Sequence, residues 1–361
     1  MKIAIVGPTH PYKGGIPQHT TELAHRLARA DHEVTLVSWR NQYPFFYPGV
    51  QFVPGNKPEI TPFVNTKRVL SWRNPIGWWQ WAKRLKHYDE VIFIWWVPAI
   101  QGPVYLNMLR ALGKNGPATA IICHNVIQHA ASPIDERLTR AVLSRVDSVI
   151  VHSEAQADLA HRLTNTPVTT LTMAAHFPGG PTEAKPHAKI YRHLLFFGLV
   201  RHYKGVDRLF EALADVPGVK LTVAGEMWGK KETELRELLR KLNLESRVEL
   251  LPSYVPAEDI AGLFAKSDAL VLPYRSGSAT QNADLAFAHG VPVIATRVGS
   301  IPDRLRDGVD SLLCDPDDVI SLAAAIHRFY EPGVANKLSK HLPATSADRD
   351  WSAYVQVLTK P

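Results

Sequence analysis

The sequence predicts an α/β fold of two parallel-sheet domains facing each other across a cleft. Three observations predict it. The chain has 361 residues, more than one ordinary hydrophobic core serves. Short apolar runs alternate with helix-like segments, the signature of βαβ units. That alternation stops in a Pro/Gly-rich stretch at 178–186 and then restarts.

In the first half, residues 2–7 read as a buried strand rather than a leader peptide. Gly14 and Gly15 follow it and precede a helix over 16–30, with Leu23 and Leu27 on one face. Two glycines there serve either a tight turn or a close backbone approach to a ligand. Strands are predicted at 34–38, 91–95, 120–123 and 148–152. The glycines do not make G-x-G-x-x-G, and no acidic residue closes the second strand, so a nicotinamide site is poorly supported.

Residues 74–88, NPIGWWQWAKRLKHY, read as a helix with Asn74 as N-cap and Pro75 in its first turn. Trp78, Trp81 and Leu85 share one face, with Lys83, Arg84 and Lys86 nearby. The segment suits an interfacial helix on anionic lipid or a core helix packed on the sheet; Trp79 breaks the stripe. His124 and His129, in CHNVIQH, follow the strand at 120–123. Either can orient a hydroxyl substrate or be structural, and their spacing is no zinc pattern.

In the second half, strands are predicted at 194–197, 219–224, 248–251, 269–272 and 291–295. Arg201 and Lys204 lie just past the first of these, ahead of a helix marked by Val206, Leu209, Phe210 and Leu213. Two cations before a helix N-terminus form a diphosphate clamp. The strand at 269–272 ends in a small-residue loop, Ser276-Gly277-Ser278-Ala279-Thr280. Such a loop, at a strand's carboxyl end, brings backbone amides to an anion. Asp315/Asp317 and Asp348/Asp350 have D-x-D spacing but read as helix caps or solvated turns, so no metal site is expected.

The formal charge is +7. Residues 1–180 hold 18 Lys+Arg and 11 Asp+Glu, whereas residues 181–361 hold 23 of each, so the whole excess lies in the first half. That suits an anionic partner surface or a solubilising bias. No recognition motif supports nucleic-acid binding. Cys123 and Cys314 form no disulfide or metal pattern and suit a reducing compartment. No apolar run reaches a membrane span.

Together these elements resemble a glycosyltransferase of the GT-B fold, family 4. The resemblance runs through GPTHPYKGGIPQHTTELAHRLARADHEVTLVS, CHNVIQHAASPIDERLTRAVLSRVDSVIVHSE, LLFFGLVRHYKGVDRLFEAL and AHGVPVIATRVGSIPDRLRDGVDSLL. It implies two Rossmann-like domains: 1–180 for the acceptor, and 190–340 for a nucleoside-diphosphate sugar. A last helix, 345–361 with Trp351 and Tyr354, crosses back to the first domain. The implied reaction is metal-independent, cofactor-free hexosyl transfer with retention. Its catalytic residues would be His124, Arg201 and Lys204. Donor contacts would come from Gly14, Gly15, Gly198, Gly277, Ser278, Ala279, Thr280, Gln281 and Asp284.

This chain departs from the family in its donor loop. Two glutamates are usual there, and their positions fall on Gly277 and Leu285. Asp284 is one residue away but about 100° around a helix, so ribose recognition either passes to Asp284 or Gln281 or is absent. The chain thus resembles a subgroup without the glutamate pair.

The basic, tryptophan-rich first half implies a lipid-linked or cell-envelope glycan acceptor. It also implies a cytoplasmic protein peripheral to the membrane's inner face, with His129, Trp78, Trp81, Lys83 and Arg84 on the acceptor or membrane side. The alternatives are a non-catalytic nucleotide-sugar-binding protein on a degenerate GT-B fold and a nucleotide-sugar epimerase.

Overall fold

The computed structural model describes all residues except 46–50, 128–131, 179–189, 278–279, 345–346 and 361. Most of the 178–186 stretch predicted as a linker lies outside the described residues. The chain divides into two compact units, Met1–His176 with Ala347–Pro361, and Phe177–Ser346.

The first unit holds a seven-stranded sheet. Its strands are β1 (Lys2–Val6), β2 (Glu33–Asn41), β3 (Thr66–Ser71), β4 (Glu90–Trp95), β5 (Ala118–Cys123), β6 (Ser148–Val151) and β7 (Val168–Thr170). All pairings are parallel, in the order β3-β2-β1-β4-β5-β6-β7. Helices α1 (Gly15–Arg29), α2 (Pro75–Leu85), α3 (Pro98–Leu112), α4 (Pro133–Leu143) and α5 (Glu154–His161) connect them. Alternate strand residues feed two cores. Ile3, Ile5, Ile92 and Ile94 pack on the face with Leu23 and Leu27 of α1. Ala4, Val6, Phe93 and Trp95 pack with Tyr105 and Met108 of α3. Burial on both faces makes these strands read as continuous apolar runs.

The second unit repeats the plan with β8 (His193–Phe197), β9 (Lys220–Ala224), β10 (Val248–Leu251), β11 (Ala269–Leu272), β12 (Val293–Thr296) and β13 (Ser311–Cys314), ordered β10-β9-β8-β11-β12-β13 and all parallel. Its helices are α6 (Val206–Ala214), α7 (Lys231–Lys241), α8 (Ala257–Ala265), α9 (Asn282–Ala288), α10 (Ile301–Arg304), α11 (Val319–Phe329) and α12 (Val334–Lys340). The last helix, α13 (Ala347–Leu358), packs in the first unit. Trp351 and Tyr354 are buried there. Trp351 Nε1 donates to Ala175 O at 2.9 Å, and Asp348 pairs with Arg26.

Strand order reverses between β1 and β4 in one sheet and between β8 and β11 in the other. In open α/β sheets ligands bind beyond the carboxyl ends of strands at such a switch point. Among the described residues, no helix is long and apolar enough to cross a membrane.

Candidate functional site

The second unit's switch point carries the predicted cation loop. β8 ends at Phe197, and Gly198 turns the chain at φ +110°. A side chain on Gly225 would come within 2.2 Å of Gly198 O, so only glycine lets the ends of β8 and β9 meet this closely. Residues 202–204 form one 3₁₀ turn, closed by Gly205 at φ +66°. A Cβ on Gly205 would lie 2.0 Å from Pro273 O. The cation loop is thus seated directly on the residue that follows β11.

The turn aims Lys204 back at Gly198. A Cβ at 198 would stand 3.4 Å from both Lys204 Nζ and Asn282 Nδ2. The bare glycine therefore leaves an ammonium and an amide flanking half-buried backbone. Lys204 is half-buried, and loss of water, with nearby Arg201 adding to it, lowers its pKa. The ammonium lies 5.4 Å from the Tyr274 ring centroid. The Arg201 guanidinium carbon sits over Trp228, 3.8 Å from the ring centroid, a cation–π contact that holds the guanidinium in place. Asn282 Nδ2 donates to Phe197 O at 2.7 Å, tying the start of α9 to the end of β8. Neither Trp228 nor Asn282 stands out in sequence, because each acts through a partner distant in the chain.

Gly277 follows Tyr274, whose burial raises its phenol to about 12. Ser278 and Ala279 lie outside the described residues. Thr280 Oγ1 accepts from Asn282 N at 3.2 Å, and Gln281 stands at the N-cap position of α9 without a side-chain capping bond. Asp284 forms an ion pair with Arg304, both side chains 16% exposed. Its carboxylate is therefore engaged within the unit. Leu285, the second position at which the resemblance expects a glutamate, is buried in the core.

Both D-x-D segments lie at helix starts, with Asp315, Asp317 and Asp348 exposed, and Asp317 and Asp348 also pair with arginines. Asp317, at φ +57°, accepts from Arg208 Nε at 2.8 Å and Arg275 Nε at 2.9 Å. Asp348 is the ion-pair partner of Arg26. Among the described residues, no group of three His, Cys, Asp or Glu side chains could hold a metal.

In the first unit, Gly14 has φ +100° and ψ 174°, a region essentially restricted to glycine. It starts α1, and a Cβ placed on it would meet no atom within 4 Å. A Cβ on Gly15 would lie 3.9 Å from the His176 ring. His176 opens onto a cluster of four buried imidazoles with His19, His124 and His152. His19 and His124 meet edge to face at 4.9 Å, and His124 and His152 lie 5.1 Å apart. His176 Nε2 donates to Gln18 Oε1 at 2.6 Å. Burial drives the His19 and His124 pKa values well below 6.5, and that of His176 to about 3. These three are neutral near pH 7. Of these four the sequence singles out His124; the cluster forms because α1, β5 and β6 converge. His129 lies outside the described residues.

Helix α2 corrects the surface stripe. Asn74 Oδ1 accepts from Gly77 N at 3.0 Å, and Pro75 opens the helix. Trp78, Ala82 and Leu85 are buried in the core, and Trp78 Nε1 donates to Ser71 O at 2.6 Å. Trp78 is thus a core residue, since the sheet offers its whole apolar face to that stripe. Trp81 is half-buried under Arg84. The exposed stripe is Ile76, Trp79 and Lys83; Ile76 is 70% and Trp79 50% exposed, and Lys83 Nζ sits over Trp79 at 4.9 Å.

Residues 13–172 match the family model described as Glycosyltransferase Family 4, and residues 191–332 match that described as Glycosyl transferases group 1. A D-inositol 3-phosphate glycosyltransferase of Pseudarthrobacter chlorophenolicus is 32% identical over 168 residues, covering 44% of this chain and 40% of that protein. The chain spans less than half the length of the curated relatives it matches. Two solved structures share the fold. Anabaena HepE in complex with UDP and glucose has TM-score 0.74 at 15% identity, covering 100% of both chains. Sucrose-phosphate synthase from Thermosynechococcus elongatus has TM-score 0.71 at 18% identity, covering 99% of this chain and 95% of that one. The two parallel-sheet units are those of the GT-B fold.

Proposed function

We propose that this protein is a glycosyltransferase that moves a hexose from a nucleoside-diphosphate sugar to an acceptor hydroxyl, with retention. One observation carries the reading. At the β8/β11 switch point, the Lys204 ammonium flanks bare Gly198 backbone while Arg201 is held over the Trp228 ring. A diphosphate is the anion that such a pair of fixed cations suits. The glycosyltransferase family matches support it, as does the UDP bound in the similarly folded Anabaena protein. UDP-glucose is therefore the first donor to test.

The chemical task is to stabilise the departing diphosphate. Lys204 and Arg201 place positive charge where negative charge develops, and they are held in place beforehand. On this reading their charge does the work without a metal. Gly277, Thr280 and the two intervening residues would complete the anion cradle. Ribose recognition is assigned to Gln281, because Asp284 is committed to Arg304. In the first unit, neutral His124 would hydrogen-bond a sugar hydroxyl, and Gly14–Gly15 would leave room for the ligand.

The acceptor is proposed to be lipid-linked or part of a cell-envelope glycan, met at an anionic membrane surface. Residues 60–88 contain no Asp or Glu but six Lys or Arg, and α2 exposes Ile76 and Trp79 among them.

The experiment is a thermal-shift screen of nucleoside-diphosphate sugars, followed by a transfer assay. A true donor at a hundredfold excess over its Kd stabilises the fold by about 2.7 kcal/mol. No stabilisation by any donor, or unchanged transfer in Lys204→Ala, would sink the reading. Donor binding without transfer to any lipid or glycan acceptor would favour the non-catalytic alternative.

A further inference from the structure

We propose that Arg275 is a positioning residue for the donor diphosphate, acting through Lys204; this rests on the donor site argued above. Arg275 lies three residues beyond β11, yet its contacts reach the cation loop after β8. Its backbone N donates to Tyr203 O at 2.7 Å, and its Nη1 donates to His202 O at 2.9 Å. One residue thus takes up two consecutive carbonyls of the turn that presents Lys204.

The guanidinium is itself fixed. It grips Asp207, in the first turn of α6, with two parallel bonds of 2.8 Å. Its Nε donates to Asp317 ahead of α11 at 2.9 Å. Burial alone would raise the Asp207 carboxyl, but the Arg275 fork outweighs it and holds the pKa low. Bidentate, charge-assisted pairs are the geometrically specific ones.

Two consequences follow from this geometry. Arg275 is the most buried of these side chains, 14% exposed, and its charge is answered by two carboxylates. It is therefore a brace, and no third phosphate cation. The brace also ties the segment that follows β11 to the cation loop after β8. Moving Arg275 would shift Lys204 relative to the end of β11 while leaving the nucleoside contacts alone. Lysine cannot reproduce the fork, having no planar pair of donors.

The test measures binding of UDP and of uridine to the full chain by calorimetry, in wild type, Arg275→Lys, Asp317→Asn, Lys204→Ala and the Lys204→Ala/Arg275→Lys double variant. Arg275→Lys is expected to weaken UDP about tenfold, near 1.4 kcal/mol, with uridine unchanged. In the Lys204→Ala background the same substitution should cost nothing further. Asp317→Asn removes an exposed partner and keeps the fold; it should weaken UDP in the same direction by less. It decides the matter if Arg275→Lys does not fold. Equal UDP affinity in the Arg275 and Asp317 variants and wild type overturns the proposal, as does uridine weakening in step with UDP. UDP binding that Lys204→Ala leaves intact also overturns it, since Arg275 then has nothing to act through. If wild type binds neither UDP nor uridine, the same set is measured with the nucleoside diphosphate and nucleoside that the donor screen selects; if the screen selects none, the donor-site reading falls and takes this one with it.

Discussion

His19 and His124 stand edge to face with ring centroids 4.9 Å apart, both buried in the first unit. Trp351 and Tyr354 of α13 close over His19 at 4.7 and 5.3 Å. Burial lowers both histidines, and neighbouring imidazoles lower them further. An unfolded histidine titrates near 6.5. Below that pH the unfolded chain takes up protons that the folded chain refuses, so stability falls as pH falls. The loss levels off only below the folded pKa, about 3 for His176.

The expected outcome is that stability holds above about pH 7 and declines below about 6.5, by about 1.4 kcal/mol per pH unit for each such histidine. Tryptophan fluorescence is a fitting probe. Of the nine tryptophans only Trp228 lies outside the first unit. His19→Leu should flatten the pH slope by about one proton. A midpoint in urea that stays constant from pH 7 to 5 would show that the cluster is hydrated or differently packed.

Trp228 offers a test of how the cations are held. Its ring supports Arg201 at 3.8 Å, and such contacts are worth about 0.5–2 kcal/mol. Trp228→Leu should keep the fold, since Trp228 is only half-buried. It should weaken UDP by about two- to thirtyfold. Arg201→Ala should do at least as much, and the double variant should add little to Arg201→Ala alone. Fully additive losses would mean that Trp228 meets the ligand itself.

Central strands were the legible part of this fold. β1, β4, β5, β8 and β11 are buried on both faces and read as unbroken apolar runs. The strands absent from the sequence reading are β3, β7 and β13, all at sheet edges. β3 exposes Lys67 and Arg68, as edges that must not pair with another chain tend to. β7 is three half-buried residues. In the site, Arg201, Lys204 and Gly198 were legible because their chemistry is local to one strand end. Arg275, Trp228 and Asn282 were not, since each depends on a partner from another βα loop.

Asp284 and Gln281 are neighbours in sequence with different expected roles. Asp284 is paired with Arg304 in a largely buried site, and removing one partner of such a pair costs about 3–5 kcal/mol. Asp284→Asn should therefore lower the unfolding midpoint and leave UDP affinity near wild type wherever the protein is folded. Gln281→Ala should do the reverse: little change in stability, but weaker binding of both UDP and uridine. Were Asp284→Asn to spare stability and abolish uridine binding, the ribose assignment would move to Asp284.

Helix α2 separates core from contact surface at adjacent tryptophans. Trp78 is 7% exposed and bonded through its ring to Ser71 O, so Trp78→Ala should cost about 3–5 kcal/mol of stability. Trp79 is exposed, with Lys83 over its ring, so Trp79→Ala should leave stability near wild type. If this face meets anionic lipid, the order of effects inverts in a vesicle assay. Trp79→Ala with Ile76→Ala should then release the protein from phosphatidylserine vesicles. Each of Lys83→Gln and Arg84→Gln should weaken the attachment by about 1 kcal/mol. Binding should fall as salt rises, because exposed charges are screened beyond a Debye length of about 8 Å at physiological salt. Sedimentation with vesicles that is equal for the double variant and wild type, or insensitive to salt, would remove the membrane from the acceptor reading and leave the donor site untouched.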